Sequence, residues 1–244
     1  MPGARNIFET GKEENSYFVK RLQPVVFCVF FACLLCMGPA CAPTVIDYKG
    51  HKVFNPDYLW YLESSWRDTW QEPDQVLKAL HISPKDVVAD IGAGGGYFTE
   101  RFSKTVGPFG LVYATDVQDV MLENLKERAR AKGLHNVKVV RGAFDDPMLP
   151  ENSCDLVFFS SVYKEIENRV DYMRKVRRVL KPGGRVAIIE YRPGATVVGP
   201  PPEMRLSSEQ VKGELAASGF TLGKEYDFLP REYFLIFVKG LGKK

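Results

Sequence analysis

The sequence predicts an α/β domain on a doubly wound, seven-stranded sheet, mostly parallel and closed by an antiparallel C-terminal hairpin. Three observations lead there. Short apolar runs alternate with amphipathic stretches through the body of the chain, the pattern of strands crossed over by helices. The segment Val87-Val88-Ala89-Asp90-Ile91-Gly92-Ala93-Gly94-Gly95-Gly96-Tyr97-Phe98 reads as a buried strand, a glycine-rich turn and the start of a helix. The last two apolar runs are separated only by Leu229-Pro230-Arg231-Glu232, and a connection that short requires antiparallel pairing.

In chain order, residues 47–55 read as a polar connector. Residues 56–70 read as one or two aromatic-rich helices containing all three tryptophans. Together they predict a helical cap over 47–73 that either packs on the sheet or forms a lid, with Trp66, Arg67 and Trp70 near a ligand. Pro73 opens a helix over 74–80. Strands are expected over 86–91, 111–116, 137–141, 155–160 and 185–191, and helices over 97–106, 120–132 and 169–180. Lys181-Pro182-Gly183-Gly184 reads as a turn before the fifth strand. Ser207 followed by Gln210 marks a capping box for a helix over 208–218, which stops at Gly219. Strands over 221–228 and 233–239 complete a domain spanning 74–240.

Hydrophobic residues make up 45% of the 244 and charged residues 26%, which suits a globular protein. Net charge is +3 with no basic block, so composition gives no case for a nucleic-acid partner. Four of the five cysteines (Cys28, Cys33, Cys36, Cys41) cluster near the N-terminus, but no His or acid lies between them. No metal site is expected.

The glycines at 92, 94 and 96 let backbone amides approach a ligand at a helix N-terminus. Counted as a dinucleotide fingerprint from Gly92, the third glycine position falls on Tyr97, which disfavours a nicotinamide-dependent oxidoreductase. The order Asp-x-Gly-x-Gly-x-Gly from Asp90 resembles the first motif of class I S-adenosylmethionine-dependent methyltransferases. With the terminal hairpin, that resemblance runs from about Asp74 to Lys239. It implies a Rossmann-like methyltransferase fold and S-adenosylmethionine as cofactor. Asp116, at the end of the second strand, would accept the ribose hydroxyls, or else cap a helix. Asp90 would accept loop amides or reach the methionine amino group through water. Gly92, Ala93, Gly94, Gly96, Val117 and Ser160 complete the expected cofactor contacts. Many relatives carry an acid where this chain has Ala143. Either Ala143 and Phe144 meet the adenine, or Asp145 does so in a shifted register.

Tyr163, Lys164 and Glu165 follow the fourth strand at its carboxyl end and are the candidates for catalysis, or simply a polar connection. The imidazole many relatives place near Lys164 is absent. Residues 192–205 carry four prolines and would either wall an acceptor pocket, with Tyr191, Arg192 and Arg205 pointing inward, or act as a spacer. The resemblance is to the quinone- and small-metabolite-modifying branch, which implies a small, membrane-soluble acceptor. A non-catalytic nucleoside-binding module stays open as the alternative.

Residues 22–46 carry no charge, and residues 25–37 are continuously apolar behind Lys20-Arg21. With Gly38-Pro39-Ala40-Cys41-Ala42 after them, residues 1–46 read as an export signal, a lipoprotein segment or an uncleaved membrane anchor. The protein would then be membrane-associated or exported. Translation from Met37 would instead leave it cytoplasmic. S-adenosylmethionine is made in the cytosol, so a cleaved signal would separate the domain from its cofactor.

Overall fold

The computed structural model describes residues 45–194 and 199–240. The expected signal or anchor segment lies outside these residues, apart from Val45 and Ile46. Among the described residues, no helix is long and apolar enough to cross a membrane.

The chain enters through a β-hairpin, β1 (Val45–Tyr48) and β2 (His51–Phe54), paired antiparallel. This corrects the expectation of a polar connector. Lys49 and Gly50 both take positive φ (56° and 84°), the two-residue turn whose twist matches that of its flanking strands. Two short helices follow, α1 (Leu59–Glu63) and α2 (Asp68–Gln71), then α3 (Pro73–Leu80) with its proline in the first turn.

The main sheet alternates as anticipated. Its parts are β3 (Val87–Ile91), α4 (Tyr97–Val106), β4 (Leu111–Asp116), α5 (Asp119–Ala131), β5 (Val137–Arg141), β6 (Cys154–Ser160), α6 (Arg169–Val179), β7 (Leu180–Tyr191), α7 (Ser208–Ala217), β8 (Phe220–Tyr226) and β9 (Glu232–Lys239). The strand order is β5-β4-β3-β6-β7-β9-β8. Pairings up to β7 are parallel, and β9 runs antiparallel to both β7 and β8. Residues 181–184 are a bulge within β7 rather than a turn before it, because the register jumps from Cys154↔Leu180 to Leu156↔Arg185. Of the capping box, the first half forms: Ser207 accepts from the Gln210 amide, while the Gln210 side chain turns to Glu214.

Alternation along the central strands feeds two cores. Val157, Phe159 and Ile188 face Met173, Val176 and Leu215 of α6 and α7. Leu156, Phe158 and Ile189 face Leu80, Phe98 and Phe102 of α3 and α4. Both faces are therefore dry, as a parallel sheet requires. The chain runs outward from β3 to β5, then returns to β6 on the other side. Ligand crevices form at the carboxyl ends of strands at such a reversal.

Phe158 is fully buried, with its ring centre 4.8 Å from Phe98 and 5.0 Å from Phe102. Phe158→Ala should lower the unfolding free energy by about 3–5 kcal/mol. Urea unfolding reads this directly, and a loss below about 1 kcal/mol would mean the ring does not anchor this core.

Candidate active site

A cavity opens above the carboxyl ends of β3, β4 and β6, roofed by the hairpin and the aromatic helices. Its floor is the glycine loop. Ala93 donates its amide to Thr115 O (2.9 Å) and Gly94 donates to Asp116 Oδ2 (3.0 Å), so the loop is tied to β4. Gly92 sits at φ +64°, and a Cβ there would lie 2.4 Å from Val162 Cγ2, so only glycine fits. A Cβ on Gly95 would fall 2.5 Å from Glu63 Oε1, which lets α1 rest on the loop. Gly96 serves the start of α4 and does not line the cavity.

Asp116 is 8% exposed and lines the cavity, its second oxygen accepting from Gln118 N (3.0 Å). Gln118, not Asp116, is the N-cap of α5. Burial raises the Asp116 pKa against the amides it accepts. Asp90 accepts from Thr99 Oγ1 at 2.6 Å, a side chain rather than the loop amides expected. Burial lifts its pKa to about 7, only partly opposed by Thr99 and Arg67.

Arg67 is buried beneath the lid. It donates to Gln71 Oε1 (2.8 Å), Leu62 O (3.1 Å) and Ser160 Oγ (3.2 Å), and its guanidinium lies 4.1 Å from the Tyr97 ring centre. Gln71 in turn donates to Glu232 Oε2 (2.6 Å), and Ser161 Oγ donates to Glu232 Oε1 (3.0 Å). Burial lifts the Glu232 pKa to about 7. Sequence reading missed Gln71, Glu190 and Glu232. Glu190 carries a signal, a lone acid after the apolar run of β7.

Lys164 and Glu165 line the cavity. Lys164 Nζ contacts Glu165 Oε1 (3.3 Å), Glu190 Oε2 (4.0 Å) and the Ser161 carbonyl. Burial works against its charge, but Glu190 and Glu165 outweigh that and hold its pKa above the ordinary value. It therefore stays protonated and is no free base. Tyr163 is a correction: its ring is fully buried in the α6–α7 core and its hydroxyl donates to Glu214 Oε2 (2.9 Å), away from the cavity. Asp145 also departs from the shifted-register expectation, because it reaches outward to Lys175 at 2.8 Å.

Val117, Ala143, Phe144 and Ser160, expected as cofactor contacts, line the cavity with Arg67, Trp70 and Tyr191. Trp66 does not; it is 41% exposed on the outside of the lid. Arg192 lies outside the lining, its amide donating to Arg231 O (3.0 Å). Arg205 turns back to the Pro200 and Arg192 carbonyls, and Gly199 and Pro200 form the proline-rich wall. The hairpin closes the opposite side: His51 stacks on Phe144 with ring centres 3.6 Å apart, and Gln118 Nε2 donates to Phe54 O (3.0 Å). Among the described residues, no His, Cys, Asp and Glu cluster is placed to hold a metal.

The sheet order and this loop define a Rossmann-like, doubly wound nucleoside-binding α/β domain. Residues 89–188 match the family described as methyltransferase domain. The chain is 35% identical over 115 residues to the ubiquinone/menaquinone biosynthesis C-methyltransferase of Ectopseudomonas mendocina, covering 46% of this chain and 45% of that one. It is 29% identical over 115 residues to the demethylmenaquinone methyltransferase of Geobacillus stearothermophilus, covering 47% and 49%. The chain thus spans about half the length of the curated relatives it matches. A solved S-adenosylmethionine-dependent methyltransferase from Aquifex aeolicus superposes with a TM-score of 0.74 at 29% identity, covering 77% of this chain and all of that one. Residues 89–188 therefore match a methyltransferase domain, and the fold is that of the S-adenosylmethionine-dependent methyltransferases the chain resembles.

The raised Asp90 pKa has a stability consequence. The folded protein keeps a proton on Asp90 between about pH 4 and about pH 7, where the unfolded chain releases it, so folding is increasingly penalised as pH rises through that window. Asp90→Asn removes this penalty. Its melting temperature relative to the parent should therefore climb from about pH 5 to about pH 8, and a difference independent of pH would contradict the assignment. Glu232 titrates in the same range in both proteins and cancels in the comparison.

Proposed function

We propose that the whole protein transfers the methyl group of S-adenosylmethionine to a small, ring-bearing acceptor of the quinone type for which the curated relatives are named. The observation that carries this is one continuous cavity. It joins Gly92, Gly94 and Asp116 on its floor to Tyr61, Trp70 and Tyr191 in its wall.

The residues present suit the cofactor. Asp116 accepts two backbone amides, and an ionised carboxylate has about four acceptor positions, which leaves capacity for the two ribose hydroxyls. Val117, Ala143 and Phe144 offer an apolar slot for the base. Asp90, once an ammonium beside it draws off its proton, and Arg67 give the amino-acid end of the cofactor one partner of each sign. When bound, the cofactor supplies a methyl group on a sulfonium, already activated for in-line displacement.

The chain's contribution is then alignment and exclusion of water. Tethering both reactants in one cavity supplies effective molarities of roughly 10⁵ M or more in well-oriented cases. The lid, held by Arg67 and Gln71, keeps bulk water out. Lys164 remains an ammonium and contributes positive charge near the reacting centre. An acceptor that arrives as its anion needs no base for the attack itself; where a ring carbon is methylated, the proton it carried is then released to solvent or a nearby carboxylate as the ring is restored.

The uncharged run at 22–46 supports membrane targeting, which would bring the domain to a membrane-soluble acceptor. Fractionation of cells expressing the full chain tests this, with recovery wholly in the soluble fraction counting against it.

Isothermal titration of the full chain with S-adenosylhomocysteine tests the cofactor geometry. Asp116→Ala should weaken binding by at least tenfold, or about 1.4 kcal/mol, as expected for hydrogen bonds to a charged group. Unchanged affinity would remove Asp116 from the ribose site. Turnover with quinol acceptors, against binding without turnover, separates an enzyme from a nucleoside-binding module.

A further inference from the structure

Among the described residues, three buried side-chain polar atoms have no hydrogen-bond partner: Tyr61 Oη, Trp70 Nε1 and Arg231 Nη1. They share one corner. Arg231 Cζ lies 5.2 Å from the Trp66 ring centre and 5.5 Å from that of Trp70, and Tyr61 lies 6.1 Å from Trp66. Trp70 is only 5% exposed, yet it and Tyr61 line the cavity, whereas Arg231 packs behind them against the Trp66 and Trp70 rings, outside the lining. Tyr191 stands beside Tyr61 and Trp70, its ring centre 5.9 Å from that of Trp70 and its hydroxyl close to that of Tyr61.

Leaving a buried donor unpaired costs about 1–3 kcal/mol, and native proteins leave few such groups. Three in one corner form a set built for something that arrives. Its chemistry is one-sided. An indole N–H and a guanidinium only donate, and a phenol hydroxyl can donate with them, so the matching group is an oxygen that only accepts. The charge agrees. Arg231 and Arg67 both act on the Tyr61 hydroxyl, and the one acid acting there, Glu232, is already held by Gln71 and Ser161. The walls agree as well, since Trp70, Tyr61 and Tyr191 present flat aromatic faces.

We propose that Tyr61 and Trp70, backed by the positive charge of Arg231, form an acceptor subsite that takes an anionic oxygen, carboxylate or phenolate, carried on an aromatic ring. The proposal rests on the reading of this cavity as the methyl-acceptor site and names the group by which the acceptor is held. The oxygen fixes the orientation of the ring, and the aromatic walls fix its plane.

The test uses the full chain labelled with ¹⁵N at its tryptophans, saturated with S-adenosylhomocysteine, with Trp70→Phe assigning the Trp70 indole signal. The probes are 2-naphthoate and its neutral counterpart 2-naphthalenemethanol. The naphthoate should move the Trp70 indole N–H downfield and bind about tenfold tighter than the alcohol, as charge-assisted bonds to dry donors require. Tyr61→Phe and Arg231→Met should each reduce that preference, and Tyr61→Phe keeps the ring in place if Arg231→Met fails to fold. Equal affinities for the two probes, or an unmoved Trp70 signal, would mean the corner is filled by water and would overturn the proposal. Titration of S-adenosylhomocysteine into ligand-free samples of the same proteins, with the naphthoate comparison repeated there, separates the two ideas. Absence of cofactor binding with the naphthoate preference intact would sink the methyltransferase reading and leave the subsite standing.

Discussion

Four carboxylates, Asp90, Asp116, Glu190 and Glu232, are buried at one end of the main sheet, where β3, β4 and β7 finish and β9 begins. Burying an ionised group without compensation costs several kcal/mol, so each must find a partner or hold a proton. Asp116 finds the amides of Gly94 and Gln118. Glu190 finds Lys164, whose amide and ammonium both face it. Glu232 finds Gln71 and Ser161, and Asp90 finds Thr99. The site above the sheet is largely the set of groups that make this end tolerable. The glycine loop bends back so that an amide can reach Asp116, and the lid carries Arg67 inward toward Asp90 and Glu232.

The lid consequently has two tasks. Through Gln71 and Glu232 it is fastened to the start of β9, and through Glu63 and Leu62 it rests on Gly95 and Gly94. That fastening places Tyr61 and Trp70 against the cavity and leaves Trp66 outside, stacked near Arg231. The N-terminal hairpin closes the other side by setting His51 on Phe144 and Tyr48 Oη on Asp119 Oδ2 (2.9 Å). The floor of the cavity thus belongs to the α/β sheet, and most of its roof to the segment before it.

The sheet was legible because its signals are local. Dry strands flanked by helices repeat the same pattern, and Gly92, Gly94 and Asp116 stand at positions where backbone chemistry leaves little choice. The β1–β2 hairpin was missed because Val53 is its one buried residue, and the Lys49-Gly50 turn is brief amid polar neighbours. Gln71 and Glu232 lie 161 residues apart, and no spacing rule joins them. Tyr163 illustrates the reverse error. A polar residue after a strand at the ligand edge invites a catalytic reading, but its ring had a core to fill and its hydroxyl had Glu214. Asp145 turned outward for a similar reason, since Lys175 was a nearer partner than the cavity.

Hydrogen exchange on the full chain, with and without S-adenosylhomocysteine, tests most directly whether floor and roof enclose one site. Slowed exchange is expected together in residues 90–97, in 116–118 and across the lid at 56–71, because the ligand would lie between them. Protection of the loop alone, with the lid unchanged, would contradict a shared cavity and separate the aromatic roof from the chemistry beneath it.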